Sequence, residues 1–154
     1  MNKTDLVKLI LRIVKESCDL KNKFTQERDA LVNYCCIFSQ SDKEFNELKG
    51  LANKIGKVIK ETPSGPLYQI VPVETVSGPL KLLKVRHADE TKPERGDADF
   101  TVKNYSGFKD KYLSRDKFKL ILRNDFEMIE LIDSEFKVRT YFSNPPLDEQ
   151  FCLN

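Results

Sequence analysis

Leu6, Ile10, Ile13 and Val14 recur at helical spacing, while Lys8, Lys15 and Glu16 fall off that stripe. The pattern predicts an amphipathic helix that Thr4 caps and that starts at Asp5. A second helical segment is expected over residues 21–30. The next apolar run, 31–38, is rich in β formers and reads as a buried strand. Ser41 or Asp42 then opens a helix on which Phe45, Leu48, Leu51, Ala52 and Ile55 share a face, and Gly56 ends it. Residues 57–61 and 67–71 read as a hairpin around Thr62-Pro63-Ser64-Gly65-Pro66, and 80–86 as a further strand after Ser77-Gly78-Pro79.

The same order then returns. After a charged segment, 87–96, that reads as a linker, a strand is expected over 97–103 and a short helix over 105–113. Three strands follow over 118–122, 125–132 and 136–142. The tail from Ser143, with Pro145-Pro146, is expected to be irregular. The doubled order predicts an α+β protein in which two βαβββ modules form a curved mixed sheet with a cavity between them. A helical extension (1–30) precedes the first module (31–88) and the second (97–143), and all belong to one compact domain. The modules could close within one chain or between two, which leaves a homodimer open.

Composition narrows the function classes. The 154 residues fit one domain, and the net charge of +2 with lysines scattered among acids gives no nucleic-acid stripe. The longest apolar stretch, residues 6–14, carries Lys8 and Arg12 and is far shorter than the roughly 20 residues a bilayer needs. Neither a membrane nor a nucleic acid is therefore an expected partner. Cys18, Cys35, Cys36 and Cys152 lack zinc-knuckle spacing and read as free, mostly buried thiols in a reducing cytoplasm.

Alternation along the fifth strand puts Asp97, Asp99 and Thr101 on one face and Ala98, Phe100 and Val102 on the other. The apolar set belongs under a helix, so the acidic set faces solvent or a cavity. Asn33 lies near the start of the first strand, Arg86 and His87 end the fourth, and Glu127 and Glu130 fall on opposite faces of the seventh. Closure of the modules would bring Asn33, Arg86, Asp97, Asp99 and one of the glutamates together. Three outcomes stay open: an ion pair of Arg86 with Asp97 or Asp99, an anion or small-molecule site using Arg86, or a divalent metal on oxygen ligands.

The order of elements resembles the vicinal oxygen chelate superfamily of glyoxalases and extradiol dioxygenases, and more narrowly its YecM-like branch. Asn33-Tyr34-Cys35 stands where that branch carries an Asp-His motif. Gly96-Asp97-Ala98-Asp99-Phe100 stands where it carries Glu-His-x-Glu-Phe. Leu83-Lys84-Val85-Arg86 stands where its strand ends in an acidic residue. The resemblance implies a divalent-metal enzyme. The positions of both ligand histidines hold Asn33 and Asp97, and the acidic strand end holds Arg86, a cation that repels a metal. His87 is one residue out of register.

The first expectation is therefore a cytoplasmic protein that binds a small molecule, anions included, without catalysis and without a cofactor, with Asn33, Arg86, Asp97, Asp99 and Glu130 at the site. The second is a metal-dependent lyase, isomerase or dioxygenase with Asp97 and Glu130 as ligands. The third is an interaction protein with a vestigial cleft, assembled through its N-terminal helix. The Arg95-Gly96-Asp97 tripeptide and a nucleophilic Cys35 or Cys36 carry little weight, because Asp97 enters a strand and no base is placed beside the thiols.

Overall fold

The computed structural model describes residues 1–153. Its first element, α1 (Lys3–Phe24), is one unbroken helix. Asn2, not Thr4, caps it: the Asn2 side chain accepts from the Asp5 N–H at 2.9 Å and the Asp5 carboxylate accepts from the Asn2 N–H at 2.8 Å. The expected second helical segment is absent beyond Phe24. Thr25 is extended, and both its N–H and its hydroxyl bond the Lys21 carbonyl. The fully buried Lys21 ammonium donates to the Glu27 carbonyl, holding the following loop out of helix.

The paired modules follow. The first runs β1 (Leu31–Phe38), α2 (Asp42–Ile55), β2 (Gly56–Thr62), β3 (Gly65–Thr75) and β4 (Gly78–Arg86). The second runs β5 (Gly96–Thr101), α3 (Tyr105–Tyr112), β6 (Phe118–Leu122), β7 (Glu127–Leu131) and β8 (Val138–Asn144). One eight-stranded sheet has the order β2-β3-β4-β1-β5-β8-β7-β6. In each module the first and last strands pair parallel, and β1 meets β5 antiparallel at the seam. The fold is thus α+β, a mixed curved sheet with βαβββ-like modules behind an N-terminal helix.

Local chemistry explains most boundaries. Gly65 has φ +145°, and a Cβ there would run into the Val85 carbonyl oxygen, so the β2–β3 turn needs glycine. The last strand starts two residues later than the apolar pattern implies, because Phe136 closes a turn onto the Asp133 carbonyl at 3.0 Å. The tail is not wholly irregular: it forms a single-turn helix, α4 (Leu147–Gln150), whose Gln150 side chain donates to the Pro145 carbonyl at 2.8 Å.

Helices α1, α2 and α3 cover one face of the sheet. Leu6, Ile10, Ile13 and Val14 of α1 are fully buried, each contributing about 1.5–3 kcal/mol of transfer free energy. α1 packs on β1, β5, β8 and α2. Ser17 donates to the Arg139 carbonyl at 3.1 Å, and Thr140 returns a bond to the Ser17 carbonyl at 2.9 Å. Under α3, Phe108 packs on Phe142 with ring centroids 4.4 Å apart. No helix among the described residues is long and apolar enough to cross a membrane.

Candidate functional site

The uncovered face of the sheet forms a cup. Strand register places its side chains in two rows across the seam. One row runs Lys84, Cys36, Asp97, Arg139, from β4 through β1 and β5 to β8. The next runs Tyr34, Asp99, Tyr141, Glu130, from β1 to β7. The cavity has a volume of about 260 Å³, just under the range of about 300–1,000 Å³ usual for drug-sized ligands. Lys60, Arg86 and Arg123 add cations to its wall, and Leu67, Leu82 and Met128 line its apolar part. Leu147 and Phe151, from the C-terminal segment, close one side.

Asp99 is fully buried and held on three sides. It accepts from Asn33 Nδ2 at 3.0 Å, from the Ser143 N–H at 3.1 Å and from the Ser143 hydroxyl. Burial pushes its carboxyl up to about 6, against the pull of those donors. Asp97 is 7% exposed, and its Oδ1 is buried with no hydrogen-bond partner. Burial, and then the neighbouring Asp99, push it up to about 8, although Lys84, Arg86 and Arg139 act the other way. Burial thus favours the protonated form of Asp97.

Several expected site residues come together and one is diverted. Asn33, Asp97 and Asp99 meet on β1 and β5, with Asn33 also donating to the Thr101 hydroxyl at 3.0 Å. Arg86 lines the same cavity, but its ion pair is with Asp89 at 3.7 Å. Among the described residues it forms no salt bridge with Asp97 or Asp99, which corrects the expected pairing. The reason is local: Asp89 lies three residues on in the chain, and the guanidinium carbon sits 5.6 Å from the Phe38 ring centroid. Its Nε stays buried without a partner.

Glu130 is the glutamate on the cup side, while Glu127 turns to α3 and accepts from Tyr105 and Lys109 at 2.8 and 2.9 Å. Glu130 is already engaged, by the Tyr141 hydroxyl at 2.6 Å and Arg139 at 3.2 Å. Arg139 also pairs with Glu94 at 2.6 Å. The cation that pairs with acids on this face is thus Arg139, which the sequence analysis did not single out. Alternation around Val138, Thr140 and Phe142 was the available signal for it, and Glu94 in the linker offered none. His87 stands edge-on to Phe45 of α2, with ring centroids 6.4 Å apart.

The donor set does not fit a divalent cation. Among the described residues no three of His, Cys, Asp and Glu stand together to hold one. Asp97 has Lys84, Arg86 and Arg139 as charged neighbours, and Glu130 is tied to Arg139. Cys36 is no nucleophile, since burial pushes its thiol far up. Lys84 is different: burial lowers its ammonium, and it has no hydrogen-bond or salt-bridge partner among the described residues.

No protein-family model matches this chain, and no curated protein matches it significantly in sequence. Among solved structures it is similar to a structural-genomics protein designated EC4020, with a TM-score of 0.69 and 11% identity over 91% of this chain and 86% of that one. At that identity the likeness is one of fold. A triply substituted 4-hydroxymandelate synthase from Streptomyces coelicolor aligns with a TM-score of 0.35 and 11% identity, over 78% of this chain and 50% of that one.

Proposed function

We propose that the chain is a vicinal oxygen chelate-type protein of the YecM-like branch that holds a small anionic molecule in its cup without catalysing a reaction. One observation carries this reading. Four cations, Lys60, Lys84, Arg86 and Arg123, line a cavity with two carboxyls, and burial favours the protonated form of Asp97. An excess of cations around a partly apolar wall attracts and orients an anion. The unpaired cysteines support a reducing, cytoplasmic setting.

The metal-dependent enzyme reading would need Asp97 and Glu130 free to coordinate, and the bonds from Tyr141 and Arg139 to Glu130 weigh against it. The test is the thermal midpoint of the protein at fixed ionic strength with small carboxylates and organic phosphates, in the wild type and in Arg86→Gln. A ligand that binds the native state raises the midpoint with concentration. The rise is expected with at least one anion and is expected to shrink in the variant. A stoichiometric divalent ion lost in Asp97→Ala would replace this reading by the enzyme.

A further inference from the structure

The cup contains two unmet polar groups of opposite kind. Arg86 Nε–H is a buried donor with no acceptor, and Asp97 Oδ1 is a buried acceptor with no donor. Buried polar atoms are rarely left so, and each costs about 1–3 kcal/mol when it stays unmet. Water can serve either group, but it brings no charge to the cations beside them. A ligand that meets both must offer an anionic acceptor toward Arg86 and an N–H donor toward Asp97.

The rest of the wall agrees with that polarity. Lys84 lies on β4 in the same row as Asp97 with only Cys36 between, and its ammonium has no partner among the described residues. It reinforces the anion-accepting end. Asp97 keeps a buried open oxygen, whereas Asp99 is enclosed by Asn33 and Ser143 and Glu130 is tied to Tyr141 and Arg139. Oδ1 accepts a hydrogen bond whether or not the other oxygen carries a proton. The wall also has an apolar part, Leu67, Leu82, Phe126, Met128 and Phe151, beside Lys60, Arg123, Thr62 and Gln150. Its volume of about 260 Å³ admits a single small molecule.

We infer that the cup binds a small zwitterion with an apolar body, of the class of an α-amino acid with an aliphatic or aromatic side chain. Its carboxylate lies at Arg86 and Lys84, and its amine at Asp97 Oδ1. This rests on the anion-binding reading above and adds the amine and the apolar body to it. A simple anion leaves Asp97 Oδ1 unmet, and a simple amine leaves Arg86 Nε unmet and faces repulsion from Lys84. Discrimination therefore comes from a pair of groups at fixed spacing, as sites built to bond a polar substituent reject analogues that lack it.

The experiment is titration calorimetry on the full chain with matched probes: norleucine and phenylalanine, each against its deaminated acid (hexanoate, 3-phenylpropanoate) and its decarboxylated amine (pentylamine, phenethylamine). At least one amino acid is expected to bind about tenfold or more tightly than its deaminated acid, the effect of one hydrogen bond involving a charged group. The amines are expected not to bind. In Asp97→Ala the preference for amino acid over acid is expected to vanish while the acid still binds. If the deaminated acids bind as well as the amino acids in the wild type, the inference is overturned and the anion reading stands. If no amino acid, carboxylate or inorganic phosphate binds, both are overturned. The wild-type comparison needs no variant, so a misfolded Asp97→Ala leaves the test intact.

Discussion

Ser143 holds Asp99 twice, through its backbone N–H at 3.1 Å and through its hydroxyl. Ser143 lies on β8 and Asp99 on β5, so the contact ties the parallel pair of the second module together from its cup side. Ser143→Ala removes the hydroxyl and keeps the N–H. The buried carboxyl is then less well satisfied, and the expected cost is about 1–3 kcal/mol in urea unfolding. A variant as stable as the wild type would show that the hydroxyl contributes nothing.

Asp97 predicts a pH dependence. Its carboxyl is held at about 8 in the fold, against about 3.9 in an unfolded chain. The folded state thus keeps a proton that the unfolded state gives up. The resulting stability is complete below the unfolded value and is lost as pH rises through about 8. Asp99, at about 6, completes the same loss earlier. Between those two values the wild type is expected to lose up to about 1.4 kcal/mol per pH unit. Asp97→Asn is expected to remove most of that slope, and equal slopes in urea midpoints would contradict the assignment.

Arg139 bridges two buried acids, Glu94 and Glu130, each 8% exposed. Arg139→Met strands both, with an expected cost of about 3–5 kcal/mol. Adding Glu94→Gln and Glu130→Gln removes the uncompensated charges and is expected to restore most of the loss. Recovery is read from the thermal midpoints of the single and triple variants. A triple variant no better than Arg139→Met would mean that the loss comes from packing instead.

Phe151 is half-buried against the cup, and Lys60 sits 5.9 Å from its ring centroid. Phe151→Ala is expected to change stability by about 0.5 kcal/mol or less. It is expected to weaken any cup ligand by roughly fivefold, about 1 kcal/mol. Calorimetry separates the two effects, and an unchanged affinity would exclude the C-terminal segment from the site.

The fold was legible because two period changes, from 2 to 3.6 and back, recur in the same order in both halves. Phe45 to Ile55 and Leu31 to Phe38 announce their elements by spacing and residue type alone. Boundaries set by single hydrogen bonds were not legible. Asn2 and Asp5 do stand at the spacing of a reciprocal cap, a signal passed over in favour of Thr4, but nothing in the spacing shows that Lys21 buries its ammonium on Glu27. The candidate site was legible to the extent that alternation controls it: Asp97 and Asp99 share the cup face. Of the outcomes left open for Arg86, the ion pair with Asp97 or Asp99 gives way to the nearby Asp89. Phe151 and Leu147 were missed because their place depends on how the chain returns after β8, which no local pattern encodes.

The lie of α1 has a mechanical consequence. The helix rests across β1, β5 and β8 on the side away from the cup, bolted by the Ser17–Thr140 bonds over the seam region. It acts as a splint on the hinge line between the halves. The receptacle is therefore braced from behind, across both modules, while Leu147 and Phe151 wall it from the open side.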